Sequence, residues 1–220
     1  MFGKLRARVW DNKHLKIKTK ILVYRTCVLS ILLYGAETWT SYTKQERRLN
    51  NFHMRCLRSI LKISWRDRVT NERVLEIADL PSLTAVLKDR RLRWLGHVHR
   101  MNPSRLPRQV LLGSIADKKR AIGRPLLRFK DNIKRDLASF AIDSANWEQL
   151  ADDRNTWRRL IDAGRKVHDR KWFETLSFKR NKQHQSAESI PDGHFNCDIC
   201  GRACRSRIGL FSHRKRCKNQ

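Results

Sequence analysis

The sequence predicts a mainly α fold: an irregular helical body, a polar linker and a small C-terminal ββα-like zinc finger. Three observations carry this. Apolar residues recur at three- and four-residue spacing through most of the first 178 residues, the helical period. Strand-like alternation is scarce before residue 195. Four of the six cysteines lie from Cys197 onward, in metal-ligand spacing. The expected divisions are 1–63, a first helical segment; 64–178, a basic helical region; 179–194, the linker; and 195–220, the finger.

The charge limits the partners. The chain carries 49 Lys+Arg against 21 Asp+Glu, a formal net charge of +28. Self-repulsion of that size calls for an anion, and nucleic acid rewards a basic surface by releasing condensed counterions. An acidic membrane face would call for a basic amphipathic anchor or a lipidation signal, and the sequence has neither. The longest apolar stretch, Val28 to Ala36, is broken by Ser30 and Gly35 and is too short to span a bilayer. The opening residues, Met1 to Arg8, have no apolar core of a secretory signal. Cysteines without such a signal imply a reducing, intracellular setting, nucleus or cytoplasm, where clustered thiols bind metal more often than they pair. No small-molecule substrate is implied.

Along the chain, Lys16 to Leu33 reads as a helix closed by Gly35. Thr43-Lys44-Gln45-Glu46 reads as a capping box, followed by Leu49, Phe52, Cys56, Ile60 and Ile63 on one face. Cys56 is expected as a small core residue and His53 as a half-buried neighbour. A short helix over Asn71 to Ala78, capped by Thr70, leads through Asp79-Leu80-Pro81-Ser82 into a longer helix from Leu83 to Met101. Leu83, Leu87, Trp94, Leu95, Val98 and Met101 form its apolar face. Arg90, Arg93, His97 and Arg100 gather on a separate stripe. The pair has the outline of a helix-turn-helix, shared by any helical hairpin with a solvated basic face.

Asn102 to Gly123 reads as loop and ends in the basic run Lys118, Lys119, Arg120 and Arg124. Pro125 would open a helix carrying Leu126, Phe129, Ile133, Leu137 and Phe140. Another helix starts after Asp152-Asp153 and buries Trp157, Leu160 and Ile161, with Trp147 and Trp172 joining the same core. Residues 179–194 hold almost nothing that could be buried, hence the linker.

From Phe195 the spacing is Phe-x-Cys-x2-Cys-x3-Cys-x5-Leu-x2-His-x3-Cys. Cys197 and Cys200 suit a tight turn that offers two thiolates to one ion. His213 and Cys217, at i and i+4, share a helix face and complete a tetrahedron, the closed site of a single structural zinc. Phe195 and Leu210 fill two of the apolar positions that a two-Cys two-His finger needs. Cys204 falls on the third, as a small core residue and not a ligand. The base-contacting helix positions would be Ser206, Gly209 and Ser212, too short for the bidentate contacts that discriminate bases. Backbone contacts through Arg205, Arg207, Arg214 and Lys215 are expected instead, to RNA or DNA. In the body the candidate contacts are Arg90, Arg93, Arg100 and the run from Lys118 to Arg124.

Several stretches together resemble the C-terminal region of non-LTR (LINE-type, jockey-like) retrotransposon reverse transcriptases. They are Ile31-Leu32-Leu33-Tyr34-Gly35-Ala36-Glu37-Thr38-Trp39, Arg91-Leu92-Arg93-Trp94-Leu95-Gly96-His97-Val98, Gly123-Arg124-Pro125, Arg128-Phe129-Lys130-Asp131 and Cys204 to His213. The resemblance implies that residues 1–63 derive from the polymerase thumb. The rest would be the downstream helical region and terminal finger, which in that family help hold template RNA and target DNA. The palm and its metal-binding aspartates precede the thumb in that family and are missing here, so no catalytic residues are expected. Leu150-Ala151-Asp152-Asp153 mimics an Ala-Asp-Asp hairpin but leads into Arg154-Asn155-Thr156-Trp157, a helix start, so Asp152 and Asp153 are expected to cap. The expected function is a non-catalytic, zinc-containing fragment that binds nucleic-acid backbone with little sequence specificity. The alternative is a zinc-finger module that recruits a protein partner.

Overall fold

A computed structural model describes residues 1–112, 127–188, 195–204 and 206–217. Its described residues are mainly helical, with a two-stranded sheet near the C-terminus. Two compact units divide it, Met1–Lys171 and Trp172–Gln220.

In the first unit, α1 (Ile17–Val23) runs through a wider π-type stretch, Tyr24–Leu29, into α2 (Ser30–Leu32). Gly35 follows at φ +66°, a left-handed turn that glycine enters without a Cβ penalty, as the sequence predicts. Helix α3 (Thr43–Leu61) begins one residue away from the expected geometry. The Tyr42 N–H donates to Gln45 Oε1 at 2.6 Å, so Tyr42 and not Thr43 is the cap. Glu46 turns inward and accepts from Ser41 Oγ at 2.6 Å. The buried face of α3 holds His53, Met54, Cys56, Leu57 and Ile60. Cys56 is a core residue, as expected. His53 is not half-buried: it is 1% exposed, and its Nδ1 hydrogen-bonds the Tyr24 hydroxyl at 2.9 Å.

Helix α4 (Asn71–Ala78) has its expected bounds, with the Arg73 N–H donating to Thr70 Oγ1. Helix α5 (Leu83–His99), capped by Ser82, is the centre of the unit. It packs against α3, the turn Ala36–Thr38, α6 (Leu106–Leu112), α7 (Phe129–Ser139) and α8 (Trp147–Asp152). Flanked on so many sides, α5 leaves only Arg93 and His97 exposed between Leu83 and His99, a narrower basic stripe than the helix-turn-helix outline supposes.

Helix α6 lies inside the stretch expected as loop. Pro107 sits in its first turn, where a missing N–H costs nothing. Helix α7 starts at Phe129 because Arg128, extended, donates its N–H to Asp131 Oδ2 at 2.8 Å; Pro125 and Leu126 lie outside the described residues.

Around α5 the core gathers Leu92, Leu95, Val98, Ile133, Leu137, Phe140, Trp157 and Ile161, with Trp147 and Leu160 packed against it. Trp157 Nε1 donates to the Leu92 carbonyl at 3.0 Å. Gly96 makes room for that indole, since a Cβ there would lie 2.3 Å from Trp157 Nε1. Trp172 does not join this cluster; its ring packs on Phe173.

One charge is wholly inside. Arg91 is 1% exposed and makes two hydrogen bonds to Asp136, at 2.6 and 3.1 Å. Its remaining donors reach Ser41 Oγ at 2.9 Å and Glu46 Oε1 at 3.2 Å. Burial pushes the Asp136 carboxyl up, and the guanidinium opposes that shift. This network ties α3, α5 and α7 together, so the expected division at residue 63 does not separate two compact units.

Helix α9 (Arg154–Glu188) begins where the sequence predicts: Asp153 accepts from the Asn155 and Thr156 N–H groups at 3.2 and 2.8 Å. It continues through residues 179–188, which are helical and not extended linker. A helix satisfies its own backbone and needs no buried side chain to do so.

Candidate metal centre and basic surfaces

The second unit builds its site from short local pieces. Strands β1 (Phe195–Asn196) and β2 (Ala203–Cys204) pair antiparallel, Phe195 opposite Cys204. Between them the Gly201 N–H donates to the Cys197 carbonyl at 2.8 Å, and the Cys197 N–H to the Arg202 carbonyl at 3.0 Å. Gly201 sits at φ +69°, the left-handed region that a non-glycine residue enters at a cost. Helix α10 (Arg207–Cys217) follows, with the Gly209 N–H donating to Ser206 Oγ at 3.0 Å. Ser206, one of the three short positions on the base-contacting side, therefore has its oxygen turned to the helix cap.

These pieces bring Cys197, Cys200, His213 and Cys217 together, with one ligand atom from each lying within 4.8 Å of the others. Cys200 Sγ and His213 Nε2 are 3.0 Å apart. A tetrahedral ion with bonds of about 2.3 Å to sulfur sets sulfur atoms about 3.8 Å apart, so the four donors fit one cation. The thiols also call for one. Hydrogen bonds from the Ile199 and Cys200 backbone amides hold Cys197 below its ordinary range. Its hydrogen bond with Cys200, and the crowding of these sulfurs, push Cys217 up to about 11. Thiolates so close together cannot all ionise without positive charge between them. The four residues can hold a single metal ion. Cys204 lies outside the group, half-buried on β2.

The basic residues singled out from sequence have different fates. Arg90 donates to the Leu33 carbonyl at 2.7 Å and so caps the helix that ends there. Arg93 pairs with Asp89 at 2.9 Å and Asp162 at 3.1 Å. Arg100 donates to the Ala151 carbonyl. In the finger, Arg207 and Lys215 are exposed, and Arg214 pairs with Asp198. Lys118, Lys119, Arg120, Arg124 and Arg205 lie outside the described residues.

Sequence reasoning passed over the outer face of α3. Lys44, Arg47, Arg48, Asn51 and Arg55 are all exposed, and at about 100° per residue they share one face. None of the four cations has a carboxylate partner among the described residues. Further along that face, Arg58 donates to the Val69 carbonyl at 2.7 Å and Lys62 pairs with Asp11 at 2.5 Å. The signal lies in the sequence as the complement of the apolar stripe. No helix among the described residues is long and apolar enough to cross a membrane.

These features define a class: a mainly helical, strongly basic chain whose ββα unit gathers a Cys3His group that could hold a metal ion. Over 153 residues it is 26% identical to an uncharacterized transposon-derived protein of Caenorhabditis elegans, covering 66% of this chain and 54% of the relative. The chain thus spans about half the length of that relative. No family model and no solved structure matches it.

Proposed function

We propose that this chain is a non-catalytic, zinc-containing, nucleic-acid-binding part of a transposon-derived protein of the non-LTR reverse-transcriptase kind. It holds RNA or DNA by the phosphate backbone, with little sequence preference. The observation that carries this reading is the outer face of α3. From Lys44 to Arg55 its four free cations extend along about 16 Å of helix, at about 1.5 Å per residue. An extended polyanion satisfies that line of charge, and counterion release supplies the affinity.

Zinc suits a set of three soft sulfurs and one imidazole, and a four-protein-ligand site leaves no open position for chemistry. A non-catalytic role is supported by the acidic pair after Ala151. Asp152 hydrogen-bonds His99 Nε2 at 2.9 Å, and Asp153 caps α9. Neither belongs to the one metal-ligating group found among the described residues.

The test is a salt titration of fluorescence anisotropy on RNA-hairpin, single-stranded and duplex probes. The wild type is compared with a variant in which Lys44, Arg47, Arg48 and Arg55 are all glutamine. Log affinity should fall with log salt by about 0.9 per neutralised phosphate on a duplex and about 0.7 on a single strand. The variant should flatten the duplex slope by up to about 3.6, which is four contacts at about 0.9 each. A flat wild-type response on every probe would sink the proposal and favour recruitment of a protein partner.

A further inference from the structure

The finger carries a second exposed surface that the metal site does not use. Phe211 is 63% exposed and Ile208, one turn earlier, is 79% exposed. Taking Phe211 as the centre of a helix face, Arg207, Ile208, Arg214 and Lys215 all fall within about 60° of it. His213, Leu210 and Cys217 lie on the other side and face the fold. The face is therefore an apolar pair between three cations. Lys215 Nζ lies over the Phe211 ring, 5.2 Å from its centroid.

Such a face fits one class of ligand better than its rivals. A duplex offers phosphates but keeps its base faces stacked away. An acidic peptide offers charge but no flat surface for the ring. A single strand offers phosphates and free base faces together, and aromatic side chains stack such bases without regard to sequence. The positions that would read a duplex, Ser206, Gly209 and Ser212, are too short for bidentate contacts to base edges.

Resting on the nucleic-acid reading above, we infer that the finger is a single-strand clamp: an unpaired base stacks on Phe211 while Arg207 and Lys215 hold the flanking phosphates. In the free protein Lys215 covers the ring. The arriving base takes that place, and the displaced ammonium becomes available to a phosphate. The exchange needs no movement of the backbone, since Lys215 is exposed and its stem is flexible.

The experiment uses the full, zinc-loaded chain and three probes: an oligothymidylate, a strand of equal length with abasic sites replacing every thymidine, and a duplex of equal length. Wild type should bind the abasic strand about tenfold more weakly than the intact one. Phe211→Ala should weaken binding of the intact strand by about the same factor and leave the duplex within twofold. Its salt slope should not change, because the phosphate contacts remain. Phe211→Tyr should restore tight binding, and visible spectra of the cobalt-substituted protein should show that each variant keeps its metal centre.

Equal affinity of wild type for the intact and abasic strands would overturn the clamp, and that comparison requires no variant to fold. Equal loss on all three probes in Phe211→Ala would overturn it too, since phosphate binding or folding would then account for the effect. The broader reading fails separately, by wild type binding none of the probes at low salt.

Discussion

The body buries Trp10, Tyr24, Leu57, Leu92 and Trp157 to 1% exposure or less, whereas α10 of the finger buries no residue at all. Both regions are strongly basic, and they manage that charge in opposite ways. The body has folded some of its cations inward: Arg91 lies in the core, and Arg90, Arg93 and Arg100 are tied to carbonyls and carboxylates. In the finger, Arg207 and Lys215 stay exposed, and the one buried ligand side chain is Cys197, at 2% exposure. The contrast teaches where stability resides. Apolar packing and a buried ionic network hold the body; the finger has no such core, and under the function proposed above a single cation takes its place.

Removing that cation is the sharpest way to break the comparison. Structural zinc is worth about 10–16 kcal/mol of apparent binding energy in small fingers, nearly all of it folding energy. A chelator, or Cys217→Ala, should therefore unfold residues 195–217 and leave the body intact. Six of the seven tryptophans lie in the first unit and none lies within residues 195–217, so the tryptophan bands of the near-ultraviolet circular dichroism do not come from the finger. If that signal collapses on chelation, the two regions do not hold their folds independently.

The reverse experiment attacks the body. Asp136→Ala strands the Arg91 guanidinium, which is 1% exposed and keeps only Ser41 and Glu46. Breaking a buried pair from one side costs about 3–5 kcal/mol. The urea midpoint of the tryptophan signal should fall accordingly while metal affinity stays unchanged. An unchanged midpoint would mean that the network contributes little and that apolar packing alone holds the body.

A pH series gives the smallest effect of the three. Burial lowers His53 from an ordinary value near 6.5 to about 4. Because the unfolded chain takes up that proton first, stability is full above pH 6.5 and is lost as pH falls from there to about 4. The total is on the order of 3 kcal/mol. His53→Gln can still hydrogen-bond Tyr24 and should flatten the urea midpoint across that window. A midpoint as steep in the variant as in wild type would assign the pH dependence to other groups. The finger must be scored separately here, because protons also compete with metal for its thiols.

Legibility in the sequence followed the range of the interactions. The finger could be read almost whole, because Cys197, Cys200, His213 and Cys217 lie within two local turns and one helix. The Thr70 and Asp153 caps were legible for the same reason. The fate of Arg90, Arg93 and Arg100 was not. Periodicity says which residues share a face, and the Asp89–Arg93 pair four residues apart is local, but Leu33, Asp162 and Ala151 come from distant parts of the chain. Arg91 is the extreme case: nothing within a turn of it marks an arginine bound for the core. The α3 stripe differs again. Its spacing is local and fully readable, and only attention to the polar face opposite Leu49, Cys56 and Ile60 brings it out. The helix through residues 179–188 escapes because low hydrophobicity argues against burial, not against helix.

The ion network around Arg91 has a meaning for descent as well as for folding. Glu46, Arg91 and Asp136 are drawn from positions 45 residues apart on either side of the arginine. A gene copy interrupted between codons 91 and 136 would inherit the guanidinium without the carboxylate that holds it most closely. Its product would meet the cell's proteases with an unpaired ion where the core should close. A break there should therefore cost the product more stability than loss of the finger from residue 195 onward, which takes nothing from this network.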